Sequence, residues 1–388
     1  MAMSSKKVLP FRLFKNTEKA VFITRPNRFT IICDFKGKKI TAYLPNPGRL
    51  WELLLPEAQV HLKKTNRDNR KIPYTVVAVQ KKNRPVVLHT HKANDVVSFL
   101  IEKGSVPGLE GFKVIRKEVK KGNSRFDLLL KKGPLELLLE VKSCTLSCGK
   151  IAMFPDAPTQ RGKRHIEELT SLSRKNIKGA VLFLVDSPEA DFFIPDYHTD
   201  LEFAHVLYSA REEILIIPLS ISWNKNFFLT SNVRLLKVPW ELLEKEARDG
   251  GCYLVILLLS QKVLVEIGSL GNIIFQSGYY VYVGSGMKNL SKRMARHKRL
   301  RKNFFWHIDY LRAKSKVISI IPIRSEDNLE CTVAMALKQV SDWEIKGFGS
   351  SDCSCASHLF GMHVNPVHSS RFQNTLQFFR MERLMKLI

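Results

Sequence analysis

Between residue 22 and about residue 90, apolar and polar positions alternate over the short runs 29–35, 39–44, 60–64, 74–80 and 86–89, with polar, glycine and proline turns between them. Alternation with period two marks strands that bury one face, and five such runs at this spacing predict a small barrel or curled sheet. Over 93–103 the apolar spacing becomes helical, and strands return at 113–119, 124–130, 135–142 and 150–154. Thr159, after Pro158, is placed to cap a helix that runs to about 174, and two further strands fall at 179–185 and 213–218. Strands interleaved with helices predict an α/β (α+β) protein in which a mixed sheet is flanked by helices.

The pattern changes between 223 and 250, where a strand-like piece at 227–230 and a charged helix over 242–248 end at Asp249-Gly250-Gly251. Paired glycines after a charged helix mark a domain joint. The second unit opens with an apolar strand over 251–257, continues with strands at 273–275 and 278–286 and a helix from Cys331 to Val340, and ends in a helix from Thr375 with Leu376, Phe379, Leu384 and Leu387 on one stripe. The organisation read from the pattern is a barrel over 1–90, a sheet domain over 91–238, a linker over 239–250, a second α/β domain over 251–363 and an appendix over 364–388.

Chemistry enters at Arg125-Phe126-Asp127-Leu128-Leu129-Leu130, joined through Gly133-Pro134 to Leu137-Leu138-Leu139-Glu140-Val141-Lys142. Side chains two apart on a strand share a face, so Glu140 and Lys142 point the same way and Asp127 on the neighbouring strand can join them. Two carboxylates with a lysine suit a hard cation, Mg²⁺ or Mn²⁺. A charged solvent face on an edge hairpin is the alternative.

Charge changes the picture most. The chain of 388 residues has 62 Lys and Arg against 36 Asp and Glu, a net +26. The excess runs through both halves, as expected of a protein whose partner is a polyanion. The alternative is a generally basic proteome or a basic membrane-surface protein; separately, the longest apolar run, 252–259, is far shorter than the ~20 residues a membrane span needs. Phosphate backbones of a nucleic acid are the favoured partner, DNA with RNA kept open beside it. Arg25, Arg28 and Arg49 on the barrel, Arg125 on the hairpin, and Arg161 and His165 on one face of the 159–174 helix are assigned to DNA contact. So are Arg296 and His297, in the stretch 288–302 that carries eight basic residues and no acid. Seven cysteines, an odd and scattered set, fit a reducing cytoplasm rather than a disulfide scaffold. Cys353, Cys355 and His358, with Cys331 as a fourth ligand, suit zinc or iron; packed, buried thiols are the preferred reading, because free cysteine is among the most buried residue types.

The phrases Leu44-Pro45-Asn46-Pro47-Gly48-Arg49, Arg125-Phe126-Asp127, Glu140-Val141-Lys142-Ser143 and Phe154-Pro155-Asp156-Ala157-Pro158-Thr159-Gln160-Arg161-Gly162 resemble the sugar fermentation stimulation protein A family over about 11–220. The resemblance implies an N-terminal OB-like barrel and a core of the PD-(D/E)XK nuclease class, in DNA-binding proteins linked to regulation of sugar (maltose) metabolism. It places Asp127 and Glu140 as metal ligands and Lys142 beside the attacking water. Several domains of this nuclease class bind DNA without cutting it.

The second unit, with Gly251-Cys252-Tyr253, Tyr282-Val283-Gly284, Arg293 and Glu330, resembles the GIY-YIG-like domain of unknown function found attached to DNA-repair enzymes. Carried over, Tyr253 and Tyr282 would handle the nucleophilic water, Arg293 would steady the phosphate and Glu330 would hold the metal. Two departures stand out: cysteine replaces the central isoleucine, and the tyrosines lie 29 positions apart, against roughly ten between the motif's tripeptides. An inserted hairpin would restore the geometry.

Overall fold

The computed structural model of the chain describes residues 8–65, 71–175, 177–301 and 303–388. Lys302, the last residue of the basic stretch, lies outside the described residues. The chain forms two compact units, one up to 196 with 202–240, the other 197–201 with 241–388.

In the first unit β1 (Val8–Arg12) is followed by β2 (Glu18–Asn27), β3 (Thr30–Phe35), β4 (Lys38–Tyr43), β5 (Gln59–Lys64), β6 (Tyr74–Lys81) and β7 (Arg84–Val87). The last six form one sheet in the order β4-β3-β2-β5-β6-β7, and a parallel pairing of Tyr43 with Thr75 brings β4 against β6, curling the sheet into a barrel. The sequence pattern predicts five of these strands and omits β2. Val21 and Ile23 on β2 are exposed while Ala20 and Phe22 are buried, so apolar residues occupy both faces and hide the alternation.

Next come α1 (Ala93–Glu102), β8 (Lys113–Lys121), β9 (Ser124–Lys132), β10 (Leu135–Cys144), β11 (Ser147–Cys148), β12 (Ile151–Phe154), α2 (Gln160–Ser173), β13 (Lys178–Val185), β14 (Phe192–Pro195), α3 (Leu201–Ala210), β15 (Leu215–Ser220), β16 (Phe228–Thr230) and β17 (Arg234–Leu235). Six of the strands form a mixed sheet, β17-β15-β13-β10-β9-β8. Its core strands β10, β13 and β15 run parallel. They read as near-continuous apolar runs because both of their faces are covered. One core lies between the sheet and α1, the other between the sheet and α2 with α3. β14, beside β12, and α3 are absent from the sequence expectation, while β16 pairs with β1.

The two-residue turn Gly133-Pro134 joins β9 to β10 in the expected register, Leu135 opposite Lys132. Gly133 takes φ 57°, which costs a residue without Cβ little. Thr159 caps α2, its hydroxyl accepting from the Gly162 N–H at 3.0 Å.

The second unit contains most of α4 (Trp240–Glu246), then β18 (Gly251–Leu259), β19 (Val263–Glu266), β20 (Asn272–Phe275), β21 (Gly278–Ser285), α5 (Leu290–Lys298), α6 (His307–Ala313), β22 (Lys316–Arg324), α7 (Glu330–Lys338), β23 (Trp343–Glu344), β24 (Leu359–Met362) and α8 (Ser370–Arg380). Its sheet runs β22-β18-β21-β24-β23, with β19 and β20 as a separate hairpin. α8 begins five residues earlier than the pattern predicts and buries Phe372, Leu376 and Phe379. Leu384 is also buried, but Leu387 is half-exposed and does not extend the stripe. Among the described residues no helix is long and apolar enough to cross a membrane.

Candidate functional site

The β9–β10 ladder is regular up to Leu139 opposite Leu128 and then opens. Beyond it Asp127 Oδ2 accepts the Val141 N–H at 2.8 Å, so a carboxylate takes the place of a strand carbonyl. Asp127 Oδ1 accepts from Asn94 Nδ2 of α1 at 2.9 Å. Glu140 and Lys142 share a face, as the strand period requires, and form an ion pair at 2.5 Å. From α2, His165 Nδ1 donates to the same Glu140 oxygen, Oε1, also at 2.5 Å. Two donors thus converge on Oε1, while Glu140 Oε2 is buried and accepts no hydrogen bond. An ionised carboxylate oxygen left bare in a protein interior is costly unless a cation or donor meets it.

The surroundings push the two carboxyls apart. Burial raises the Asp127 carboxyl above its usual range, and the neighbouring charge of Glu140 adds to this. Burial acts in the same sense on Glu140, but the His165 hydrogen bond and the charge of Lys142 outweigh it and hold that carboxyl below its usual 4.5. Because its folded value is depressed, Glu140 contributes stability that is fully present above 4.5 and is lost as pH falls through the folded value. Asp127, with a raised value, has the opposite sign. Wild type is therefore expected to exceed Glu140→Gln by about 1.5–3 kcal/mol near neutral pH, the range for hydrogen bonds to a charged group. Urea unfolding across the acid range should show that gap narrowing below 4.5. A gap that widened there would contradict the assignment.

These groups lie in a cleft of about 530 Å³ that is also lined by Arg28, Arg125, Arg161 and the Asn46-Pro47-Gly48 turn. The donor set is of the kind a divalent cation takes, and Asp127 and Glu140 would be the residues to offer it oxygen. Arg28, Arg125 and Arg161 are exposed at the cleft. Other residues assigned to DNA are placed differently. Arg25 turns inward and donates to the carbonyls of Asn46, Arg49 and Arg28, holding the turn together. Arg49 lies over the Trp51 ring at 5.0 Å. His165 is 1% exposed, so burial removes it from DNA contact; it orients Glu140, and Arg161 Nε donates to its Nε2 at 3.4 Å. Asn94, which the sequence reading missed, orients Asp127. Lying 33 residues away, it carries no local signal.

In the second unit Tyr253 pairs with Gly284 and Val255 with Tyr282, which sets the two tyrosines diagonally on one face of β18 and β21. The β19–β20 hairpin takes up the extra spacing between them. Tyr253 shares a 2.8 Å hydrogen bond with His297 Nε2. Burial drives both tyrosine hydroxyls well above their usual value. Arg293 is exposed and donates to the Ser285 carbonyl at 2.8 Å, and the Ser285 hydroxyl donates to Glu330 Oε2 at 2.5 Å. Ser285, directly after the second tripeptide, is a further residue the sequence reading missed.

Two residues assigned to DNA are already engaged here. His297 is fully buried against Tyr253. Arg296 is locked in a two-pronged pair with buried Asp309, at 2.9 and 2.8 Å. The cysteines also depart from expectation. Cys331, Cys353 and Cys355 are partly rather than fully buried, and with His358 their ligand atoms lie within 4.8 Å of one another.

The first unit is thus an OB barrel joined to a mixed α/β domain with carboxylates at an opened hairpin. Residues 23–88 match the model of the SfsA N-terminal OB domain, 91–226 that of the sugar fermentation stimulation protein RE domain, and 252–380 that of a domain of unknown function, DUF123. The homolog from Methanosphaera stadtmanae is 42% identical over 228 residues, 57% of this chain and 94% of the relative. That from Methanothermobacter thermautotrophicus is 36% identical over 230 residues, 59% of this chain and 96% of the relative. SfsA of Pyrococcus furiosus, solved in complex with Ca²⁺, superposes with a TM-score of 0.54 at 28% identity, over 59% of this chain and 99% of that one. The chain belongs to the sugar fermentation stimulation protein family, and DUF123 follows the part it shares with these relatives.

Proposed function

We propose that the first unit binds DNA and hydrolyses its backbone as a divalent-cation-dependent endonuclease of PD-(D/E)XK type, with Asp127 and Glu140 holding Mg²⁺ or Mn²⁺. The observation that carries this is the bare, buried Oε2 of Glu140 in a cleft rimmed by arginines. Held by Asp127 and Glu140, such a cation would supply Lewis acidity toward the scissile phosphate and toward a bound water. Lys142, 13% exposed and paired with Glu140, is the residue of this chain placed to orient that water. Asn94 and His165 fix the two carboxylates, and Arg28, Arg125 and Arg161 position the backbone. The OB domain supports a nucleic-acid partner. The Ca²⁺ in the structure of the Pyrococcus furiosus relative supports a family able to take a divalent cation. For the second unit the same substrate class is proposed, with a GIY-YIG-like arrangement of Tyr253, Tyr282, Arg293 and Glu330.

Supercoiled plasmid and single-stranded DNA incubated with the full chain and Mg²⁺ or Mn²⁺ test the reading. Cutting by wild type that Asp127→Ala abolishes is the expected result. Cutting no greater than in that variant removes the catalytic claim for this site, and salt-sensitive retention of DNA would then favour a non-cutting regulator. Structured RNA that outcompetes DNA would redirect the partner assignment.

A further inference from the structure

A thiol cluster in the second unit serves neither of the proposed nuclease constellations. β23 and β24 are antiparallel neighbours, with Trp343 opposite Gly361 and Glu344 opposite Phe360, yet residues 345–358 join them without a helix or strand. A structureless connection of this length inside a compact unit needs something to hold it. Its base is fastened: Gly347 N–H donates to the Ala356 carbonyl and His358 N–H to the Phe348 carbonyl, each at 2.8 Å, with Phe348 fully buried. Its tip, Gly349-Ser350-Ser351-Asp352-Cys353-Ser354-Cys355-Ala356, has no large apolar side chain to bury. Along it exposure alternates: Asp352, Ser354 and Ala356 are exposed, Cys353 and Cys355 less so. The groups the tip turns inward are its two thiols.

They meet Cys331, in the first turn of α7, and His358 at the start of β24. All four ligand atoms lie within 4.8 Å of one another, and all three cysteines are free. Cys353 Sγ and His358 Nε2 are 3.5 Å apart. Zn–S and Zn–N bonds of about 2.3 and 2.0 Å give a tetrahedral edge of roughly 3.5 Å. The other ring nitrogen, His358 Nδ1, faces Glu330 Oε1 at 3.4 Å. A carboxylate behind a histidine fixes which nitrogen is presented and is the recurrent arrangement behind metal-bound imidazoles.

We propose that Cys331, Cys353, Cys355 and His358 form a structural zinc site that staples the 345–358 loop to the first turn of α7, with Glu330 as the positioning residue behind His358. Three thiolates and one imidazole suit zinc rather than a hard cation, and four protein ligands close the coordination sphere, so the site holds structure and leaves no open position for water. Zinc here does not depend on the chemistry at Asp127 and Glu140. It gives Glu330 a structural role beside its place in the proposed nuclease-like arrangement: one oxygen faces His358 and the other accepts from Ser285, tying the loop to β21.

The test uses the full chain purified in reductant. The expected result is close to one zinc per chain by elemental analysis. With Co²⁺ in its place, thiolate-to-metal charge-transfer bands and intense tetrahedral ligand-field bands should appear. Chelation should speed hydrogen exchange across 345–358. Cys355→Ser should lose the charge-transfer intensity in part and bind zinc far more weakly. Glu330→Gln should keep the stoichiometry at saturating zinc but lower affinity about 10–100-fold in chelator competition, the cost of removing a partner behind a ligand. Failure of the folded, reduced wild type to take up Zn²⁺ or Co²⁺ overturns the proposal without recourse to any variant. So does an octahedral cobalt spectrum, a brown iron–sulfur chromophore, or loop exchange unaffected by chelation.

Discussion

Glu140→Ala is expected to weaken divalent-cation binding to the first unit by more than about 100-fold, since removing even a residue behind a metal ligand costs roughly 10–100-fold. The size of the effect follows from how Glu140 is held. His165 and Lys142 both direct their hydrogen bond to Oε1, which fixes the carboxylate and leaves Oε2 presented. Removing the side chain takes away that oxygen and half of the negative charge that Asp127 and Glu140 supply together. His165→Gln leaves the ligand in place but frees its rotamer, so its loss should fall within the 10–100-fold range. Titration calorimetry with Mn²⁺ measures both. A folding readout checks them independently: a cation at 100 times the wild-type Kd should stabilise wild type by about 2.7 kcal/mol and Glu140→Ala by no more than about 0.4 kcal/mol. Wild-type affinity in Glu140→Ala would remove the hairpin from the metal site, and with it the proposed chemistry.

What the sequence made legible follows from the range of each signal. Period-two side-chain geometry is local, so the shared face of Glu140 and Lys142, the Gly133-Pro134 turn and the Thr159 cap could all be read in advance and are found. The 29-residue gap between Tyr253 and Tyr282 could also be read as an insertion, because strands that pair must be joined by something, and β19–β20 fills it. Partners distant in sequence are another matter. Asn94 reaches Asp127 across 33 residues and His165 reaches Glu140 across 25. In the sequence Asn94 looks like an ordinary polar position on a helix, and His165 reads as a DNA contact rather than as a partner of Glu140. Basic residues misled for a related reason: composition shows that arginines are in excess, but not which of them are already engaged. Arg25 and Arg296 commit their guanidinium groups to carbonyls and to Asp309, whereas Arg28, Arg125 and Arg161 line the cleft. For the thiols, the sequence offered both packed side chains and a four-ligand set with Cys331; the three are only partly buried, and their meeting with His358 is a tertiary fact.

That sorting of arginines gives the second large effect. Replacing Arg28, Arg125 and Arg161 together with glutamine should lower the slope of log affinity against log salt for duplex DNA by about 2.7, at ~0.9 for each phosphate no longer neutralised. Each of the three is exposed and lines the cleft that contains Asp127 and Glu140. Arg125 also pairs with Glu118 at 2.8 Å, both side chains more than half exposed. Such a pair contributes at most about 1 kcal/mol, so a phosphate can displace it. Arg25→Gln is the contrasting variant: its hydrogen bonds to three carbonyls hold the turn around Asn46 and Arg49. Removing them should lower the unfolding midpoint of the first unit while leaving the salt slope near that of wild type. Fluorescence anisotropy with a labelled duplex over a series of NaCl concentrations measures the slopes, and thermal unfolding measures the midpoint. A slope unchanged in the triple variant would mean that the backbone lies elsewhere, away from the carboxylates. A slope that fell in Arg25→Gln with stability intact would mean that the inward arginine reaches the phosphates after all.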